Sequence, residues 1–285
     1  MASKKRKQIG KSRAGDIAIF IMLMLVGVFM LFPIYLSVIQ SIKPSQELFL
    51  FPPKMYAIAP TGQNFIDLLN TASNMWVPFS RYIFNSVFVA VVVTICQLLF
   101  SSSAAYVLAK GRFPGQKALN KIIELALLFT SSVMFIMQYM VMAVMGLIDT
   151  YLAITLPYIA TPMGLFLMRQ FMGQIPEAII EAAKLDGAGH MRTCWQVVIP
   201  NVKPAIMTLM IFAFQGAWQV TGYSFIYSEE LKPLPTVMSQ ISSAGISRAG
   251  VAAAAVVITM IPPIAVFLFC QSNVMETMAQ SGMKD

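Results

Sequence analysis

Six long apolar stretches constrain what this chain can fold into. Their approximate limits are 17–39, 85–109, 122–145, 153–171, 204–227 and 252–271. Each is close to the roughly 20 residues that a helix needs to cross a bilayer. Charged residues make up only 11% of the 285 residues, against about 25% in soluble domains, so this apolar surface needs lipid as its solvent. The sequence predicts an all-α membrane protein with six transmembrane helices.

The basic residues predict how the chain is oriented. The basic start leads into an apolar run longer than that of a cleaved signal peptide, which favours a retained first helix. With the N-terminus inside, fifteen of the twenty Lys and Arg residues fall on the cytoplasmic side. Cytoplasmic flanks are enriched in these residues, so both termini are predicted to be cytoplasmic. The basic flank indicates contact with membrane lipid rather than nucleic acid.

Few side chains suit catalysis or metal binding. The three cysteines are isolated in the sequence: Cys96, Cys194 and Cys270. With a single histidine, His190, no catalytic residue and no metal site are predicted. No glycine-rich phosphate-binding loop with Lys occurs, so the chain is not expected to hydrolyse ATP itself. Glu124, three residues after Lys121, fits an interfacial ion pair better than an ion pathway.

A polar segment over residues 175–205 follows the fourth stretch. Its sequence is IPEAIIEAAKLDGAGHMRTCWQVVIPNVKPA. Pro176 suits the first turn of a helix and Gly187 a left-handed stop, which predicts a short helix between them. A second helical segment is predicted over 190–198, before Pro200 and Pro204 turn the chain into the fifth stretch.

The first of these helices needs a partner, because so short a helix is marginal in water. Ala178, Ile179, Ala182 and Leu185 share one face, with Ala183 beside it. Two interpretations remain for this face. It docks on another protein, or it lies flat on the membrane as an amphipathic helix.

The polar segment carries a spaced motif. Glu181-Ala182-Ala183 is followed after three residues by Gly187 and, after nine more, by Val197-Val198-Ile199-Pro200. This pattern resembles the EAA loop of ATP-binding-cassette (ABC) importer permeases, the binding-protein-dependent inner-membrane components. Val197 and Ile199 replace the Ile and Leu of that pattern. Asp186-Gly187-Ala188 resembles the maltose-type carbohydrate branch of the family.

Further segments extend the resemblance over nearly the whole chain. They include Asn85-Ser86, Ala105-Tyr106-Val107-Leu108-Ala109-Lys110 with Phe113-Pro114-Gly115, Gly146-Leu147-Ile148-Asp149-Thr150, Leu156-Pro157, Phe166, Arg169, Phe171, Ile175-Pro176 and the tail 271–284. The resemblance implies a permease of the type I ABC importer fold. In this family the EAA loop is a helix that seats in a cleft of the cytoplasmic ATPase.

By this resemblance, the ATPase-coupling residues are Glu181, Ala182, Ala183, Leu185, Asp186 and Gly187. The implied partners are a second homologous permease in a heterodimer, a cytoplasmic ATP-binding subunit dimer, an extracytoplasmic solute-binding protein and a sugar substrate. The ATPase would use ATP and Mg, and no cofactor is expected on this chain. The outer segments, especially 228–251, would dock the solute-binding protein.

The predicted organisation follows from the same resemblance. A basic cytoplasmic tail, 1–16, precedes a six-helix permease domain, 17–271, which includes the coupling loop 174–203. A cytoplasmic tail, 272–285, ends the chain. The predicted location is a bacterial cell membrane, with several crossings and the N-terminus inside.

A polar face in the fifth stretch is a candidate sugar path. Gln215, Trp218 and Gln219 lie at helical offsets of three and four, and Tyr223 continues the face. Aromatic faces and amides recognise sugars. Interhelical hydrogen bonding explains the same pattern equally well. The family has Asn where this chain has Gln219.

Three alternatives to a sugar permease remain. A permease for a non-sugar solute is the nearest, because the EAA loop does not identify the substrate. A channel or receptor lacks a specific pore pattern here. An intramembrane enzyme would need paired carboxylates, a Ser/His pair or a His/Glu metal motif at membrane depth, which the sequence does not supply.

Overall fold

The computed structural model describes residues 13–129, 131–219, 225–243, 245 and 248–281, and its regular structure there is entirely helical. The α-helices are α1 (Arg13–Ile42), α2 (Ser45–Leu48), α3 (Gln63–Ser73), α4 (Phe79–Lys110), α5 (Gln116–Ala126), α6 (Ser131–Val144), α7 (Tyr151–Ile159), α8 (Pro162–Gly173), α9 (Glu177–Leu185), α10 (His190–Arg192), α11 (Ile199–Asn201), α12 (Lys203–Trp218), α13 (Leu234–Ser242) and α14 (Ala249–Ser281). A π-helical turn, Thr193–Val198, joins α10 to α11. The all-α prediction is confirmed.

Four helices in the described part of the chain are long and apolar enough to cross a membrane: Gly15–Ile42, Phe79–Lys110, Tyr151–Gly173 and Ala249–Ser272. They overlap the first, second, fourth and sixth predicted stretches. A fifth crossing results if His190–Asn201 and Lys203–Trp218, which meet at an angle of 87°, count as one bent span. The architecture is that of a multi-pass membrane protein, and the count of six crossings remains a prediction.

The third predicted stretch, 122–145, is divided between two helices. α5 ends at Ala126 because the hydrogen bonding there tightens from four-residue to three-residue spacing. The N–H of Leu128 donates to the Leu125 carbonyl at 3.0 Å, and the N–H of Phe129 to the Ala126 carbonyl at 3.3 Å. α6 then begins at Ser131.

Glu124, near the end of α5, forms an ion pair, as predicted, but not with Lys121. Its carboxylate accepts from the guanidinium of Arg169 on α8 at 2.9 Å. The Arg169 guanidinium also lies over the ring of Phe166, 5.5 Å from its centroid. Because this stacking holds Arg169 against α8, the ion pair joins α5 to α8.

The chain divides into two compact units, the first formed by Met1–Leu69 with Ser242–Val257. Within it, buried Asn64 closes the end of α1: its Nδ2 donates to the carbonyls of Ser41 at 2.8 Å and Lys43 at 2.7 Å. Gly250 passes close to this side chain. A Cβ at position 250 would lie 2.4 Å from the Asn64 Oδ1, so only glycine fits without a shift.

The second unit is formed by Asn70–Ile241 with Ile258–Asp285, and α4 lies at its centre. α4 packs along α7, α8 and α12. The contact with α8 is close, because a Cβ on Gly164 would lie 2.6 Å from the Gln97 Nε2 and 2.8 Å from the Leu209 Cδ1. The two ends of α4 position the two segments described next.

Candidate functional site

The EAA loop, residues 174–203, contains α9, and α9 ends in a Schellman motif. The N–H of Gly187 donates to the Lys184 carbonyl and the N–H of Ala188 to the Ala183 carbonyl, both at 3.0 Å. Gly187 has φ +76°, a conformation that strains residues with a Cβ. The left-handed stop predicted at Gly187 is confirmed. Pro176, predicted in the first turn, is the N-cap instead, and the nine-residue helix begins after it at Glu177.

One side of α9 is fixed to the bundle by apolar packing. Ile180 and Ala183 are buried on this side. Ile180 belongs to a cluster built from α4, α8, the π-helical turn and α12: Ala105, Tyr106, Met168, Met172, Ile175, Ile180, Cys194, Val198, Val202, Ala205 and Leu209. A fully buried Ile, Val, Leu or Met contributes about 1.5–3 kcal/mol. The loop is therefore anchored to the ends of α4 and α8.

Polar contacts add to this anchorage. The Nζ of Lys110, the last residue of α4, donates to the carbonyls of Ile175 at 2.6 Å and Gly173 at 3.1 Å. Arg112 forms an exposed ion pair with Glu177 at 3.3 Å, which contributes at most about 1 kcal/mol. A cleft of about 290 Å³ lies beside α9, lined by Lys110, Gly111, Arg112, Glu177, Ile180, Glu181, Lys184 and His190.

The other side of α9 is open. The side chain of Leu185 is 88% exposed, and Glu181, Ala182, Asp186 and Gly187 are exposed with it. The fold thus brings five of the six predicted coupling residues onto one accessible surface. The sixth, Ala183, lies on the buried side and supports this surface from behind. A Leu exposed at the end of a short helix is apolar area that a partner can cover.

The predicted polar face of α12 is divided by the fold. Trp218 is buried, its indole N–H donates to the Thr259 carbonyl of α14 at 2.9 Å, and its ring stacks on Phe214 with centroids 5.8 Å apart. This geometry favours the interhelical interpretation of Trp218. Gln215 is half-buried and Gln219 is exposed at the end of the helix. Tyr223 lies outside the described residues.

A cavity of about 280 Å³ lies between α4, α8 and α12 where α7 and α8 meet. The helical run breaks there, since Ala160 and Thr161 leave the helical conformation. The Gln97 amide donates to the Thr161 hydroxyl across this break. The lining combines polar and aromatic groups with glycines: Gln97, Tyr158, Thr161, Met163, Gly164, Phe212, Ala213 and Gly216. Broken helices inside membrane bundles commonly line a solute site.

At the other end of α4, side chains bind the backbone of the 225–234 segment. Asp149 accepts from the N–H of Tyr227 at 3.0 Å, the N–H of Ser228 at 2.9 Å and the Ser228 hydroxyl. Its own N–H donates to the Phe225 carbonyl at 2.7 Å. The Ser228 hydroxyl and the two N–H groups stabilise the carboxylate, so the pKa of Asp149 lies below its usual value.

Asn85 and Ser86 hold the rest of this segment. The buried Asn85 amide donates to the carbonyls of Glu230 at 2.8 Å and Lys232 at 3.0 Å, and its Oδ1 accepts from Tyr151 at 2.6 Å. The Ser86 hydroxyl accepts from the N–H of Leu234 at 2.6 Å. The segment therefore depends on side chains that are more than seventy residues away in the sequence.

Sequence reasoning gave these contacts no role. Asn85-Ser86 and Gly146–Thr150 were recognised only as matching segments. Gln97 and Thr161 carried a usable signal, because uncharged polar residues inside apolar stretches usually face a bundle interior or a cavity. The pairing of Gln97 with Thr161 across 64 positions had no signal in the sequence.

Comparison with known proteins identifies the family. Residues 17–278 match the model of the binding-protein-dependent transport system inner membrane component. The sn-glycerol-3-phosphate transport system permease protein UgpE of Yersinia enterocolitica is 29% identical over 92% of this chain and 95% of its own length. Protein LplC of Bacillus subtilis is 30% identical over 72% of this chain and 75% of its own length. The arabinooligosaccharides transport system permease protein AraQ of Bacillus subtilis is 26% identical over 94% of this chain and 95% of its own length.

Solved structures share the fold. A chain of a bacterial ABC transporter involved in the import of alginate, an acidic polysaccharide, superposes with a TM-score of 0.77 at 23% identity, covering 92% of this chain and 98% of that one. A chain of the alginate transporter in complex with its pentasaccharide-bound periplasmic protein superposes with a TM-score of 0.62 at 16% identity. The match covers 90% of this chain and 93% of that one. The prediction of a transport subunit rather than an enzyme is confirmed by the family match. This chain belongs to the family of binding-protein-dependent transport system inner membrane components.

Proposed function

We propose that this chain is one of two permease subunits of an ATP-driven ABC importer for a sugar or oligosaccharide. The observation that carries the proposal is the two-sided environment of α9. One side packs into the bundle through Ile180 and Ala183, and the other side is open. A short helix fixed in this way transmits displacement as a rigid body.

We assign the contact with the ATP-binding subunit to the open side of α9. This surface consists of Glu181, Ala182, Leu185, Asp186 and Gly187, with Ala183 behind them. ATP and Mg are used by the dimer of that subunit, and this chain binds neither. When the ATPase dimer closes, α9 follows it. Because Ile180 and Lys110 link the loop to α8 and α4, the movement reaches the two homologous permeases and alternates access to their shared path.

The proposed topology is that of a type I importer permease with six crossings and both termini in the cytoplasm of a bacterial cell. The distribution of fifteen bases inside and five outside supports this orientation. The permease domain covers 17–271, between cytoplasmic tails 1–16 and 272–285. The EAA loop then faces the ATPase, and the 225–234 segment faces the solute-binding protein.

The cavity at the α7–α8 break is the proposed part of the sugar path in this chain. Tyr158 and Phe212 offer apolar faces, and Gln97 and Thr161 offer hydrogen-bonding groups, the combination that recognises sugars. Gln215, Gln219 and Tyr223 of the predicted polar face extend the proposed path. Trp218 is a weaker member, because its ring is buried and its N–H is already bonded.

Substitution of Gly187 by Val tests the coupling role. Position 187 has φ +76°, which costs a residue with a Cβ about 1–2 kcal/mol or more when β-branched, so the end of α9 should deform. We expect the assembled transporter to lose most sugar uptake and most of the ATP hydrolysis that the loaded binding protein stimulates. Both are measured in vesicles.

Gly189→Val is the matched control. Position 189 has φ −71° and ψ 167°, which Val adopts without strain, and no neighbouring atom lies within 4 Å of a Cβ there. This variant should retain uptake. Normal ATP-driven uptake by Gly187→Val in an assembled complex would refute the coupling assignment.

A non-sugar solute is the second candidate, because the relative UgpE is named for sn-glycerol-3-phosphate. A phosphate group usually requires Arg or Lys partners. No charged side chain lines the α7–α8 cavity among the residues that the structure describes, which favours a neutral solute. Uptake of labelled neutral oligosaccharide, set against glycerol phosphate as competitor, separates the two. Strong inhibition by glycerol phosphate would favour the second candidate.

A further inference from the structure

The 43–62 loop, which follows α1, exposes a cluster of apolar side chains. Phe51 is 94% exposed, and its apolar neighbours in the loop are about half exposed: Phe49, Leu50, Met55, Tyr56 and Ile58. Exposed apolar clusters of this kind mark contact with another molecule or with lipid. Neither the EAA loop nor the α7–α8 cavity involves these residues.

The loop folds back along the transmembrane helix. The hydroxyl of Tyr35 in α1 donates to the Met55 carbonyl at 2.9 Å. Tyr35 precedes the last residue of α1, Ile42, by seven positions, or about 10 Å along the helix. The part of the loop around Met55 therefore lies beside the last two turns of an apolar helix that is long enough to span the membrane.

Several polar groups of the loop are paired within it. The Glu47 carboxylate accepts from the N–H groups of Ile58 at 2.9 Å and Ala59 at 2.8 Å. The buried Lys43 ammonium donates to the Lys54 carbonyl. A loop that pairs its own polar groups and turns apolar side chains outward suits a poorly hydrated environment.

We propose that the 43–62 loop is an interfacial anchor, with Phe49, Phe51 and Tyr56 inserted among the lipid headgroups where α1 leaves the membrane. The Met55 part of the loop lies against α1, whose apolar side chains are exposed along the helix, which favours lipid over a second protein. Aromatic residues concentrate at this depth of a bilayer. Exposed Lys54 is placed to reach lipid phosphate. The proposal requires only that α1 spans the membrane, so it stands apart from the proposed transport function.

Spin-label accessibility tests this location. A nitroxide is attached to Phe51→Cys, and separately to Ile58→Cys, in the full-length chain within the assembled transporter in phosphatidylethanolamine–phosphatidylglycerol vesicles. Ser45→Cys, on the exposed polar helix α2 of the same loop, is the matched control. The unsubstituted chain gives the background from Cys96, which is half-buried, and from the buried Cys194 and Cys270.

The expected result is a higher ratio of oxygen to nickel-chelate collision rates at 51 and 58 than at 45, because oxygen concentrates in lipid and the chelate in water. Equally low ratios at all three positions would place the loop in water and overturn the proposal. Shielding of positions 51 and 58 from both reagents would show burial against a partner protein, and would overturn it equally.

Discussion

The EAA loop and the 225–234 segment lie at opposite ends of α4, and they are held in different ways. The EAA loop is fixed by apolar packing of Ile180, Val198 and their neighbours in one buried cluster. The 225–234 segment is fixed by Asn85, Ser86 and Asp149, which bind its backbone directly. The EAA loop thus relies mainly on apolar packing, with added bonds from Lys110, whereas the 225–234 segment combines buried Ile226 and Leu234 with several side-chain bonds to its backbone.

The two kinds of attachment predict different responses of the EAA loop and the 225–234 segment to a displacement. Apolar packing is distributed over many contacts and has no direction, so the EAA loop can follow a displacement without losing its attachment. Hydrogen bonds are directional and weaken steeply when their geometry changes. We therefore expect the 225–234 segment to keep one position relative to α4 or to detach, with little in between.

The largest expected effect is at the apolar end. Met172→Ala removes a fully buried side chain from the cluster and should lower the free energy of unfolding by about 2–5 kcal/mol, because a cavity remains. Denaturant titration of the purified chain measures this. Met172→Leu keeps the volume and should cost less than about 1.5 kcal/mol. Equal losses in the two variants would contradict packing as the source of stability.

A smaller and more local effect is expected at the polar end. Asn85→Ala leaves the Glu230 and Lys232 carbonyls and the Tyr151 hydroxyl without this partner. Because a buried unsatisfied group costs about 1–3 kcal/mol, the free energy of unfolding should fall by this amount. Hydrogen exchange should rise in peptides covering 225–234 and stay unchanged in those covering the EAA loop. Asn74→Ala, at an exposed asparagine, is the control. A uniform rise across the chain would indicate global unfolding instead.

Asp149→Asn should have a milder effect, about 1 kcal/mol, because the amide oxygen still accepts one N–H while the charge is lost. Exchange at the N–H groups of Tyr227 and Ser228 should increase more than elsewhere. Protection equal to that of the unsubstituted chain would show that the carboxylate does not hold the segment.

The smallest effect is the pH dependence of the same contact. The pKa of Asp149 is lowered in the fold, so its stabilising contribution is complete above the unfolded-state pKa and disappears as the pH falls through the lower, folded value. The difference in thermal midpoint between the unsubstituted chain and Asp149→Asn should stay constant from pH 7 to about pH 5 and vanish only in stronger acid. A difference that vanishes near neutral pH would contradict this assignment.

Several features were predictable because they depend on local chemistry. The apolar stretches predicted helices, and four of the six coincide with helices long enough to span. Gly187 predicted the left-handed end of α9, because glycine tolerates positive φ at little cost. The periodicity of Ala178, Ile179, Ala182 and Leu185 predicted a docking face of α9, and these residues are exposed.

Other features were not predictable from local chemistry. The polar character of Trp218 was visible, but its bond to Thr259, 41 positions away, removes it from the open surface. The division of 122–145 into α5 and α6 was hidden because the composition is apolar on both sides of the break. Ala183 belongs to the motif, yet it faces inward.

The sequence by itself determined that this chain is helical and suited to a membrane, and where α9 stops, because composition, periodicity and glycine conformation act within a few residues. The spaced motif of residues 181–200 added the resemblance to the EAA loop. Only the tertiary structure decided which side of α9 is buried, that Asn85 and Asp149 hold the 225–234 segment, and that Gln97 meets Thr161 at a broken helix. Each of these depends on contacts between residues dozens of positions apart, and their geometry is fixed by how helices pack rather than by any local preference.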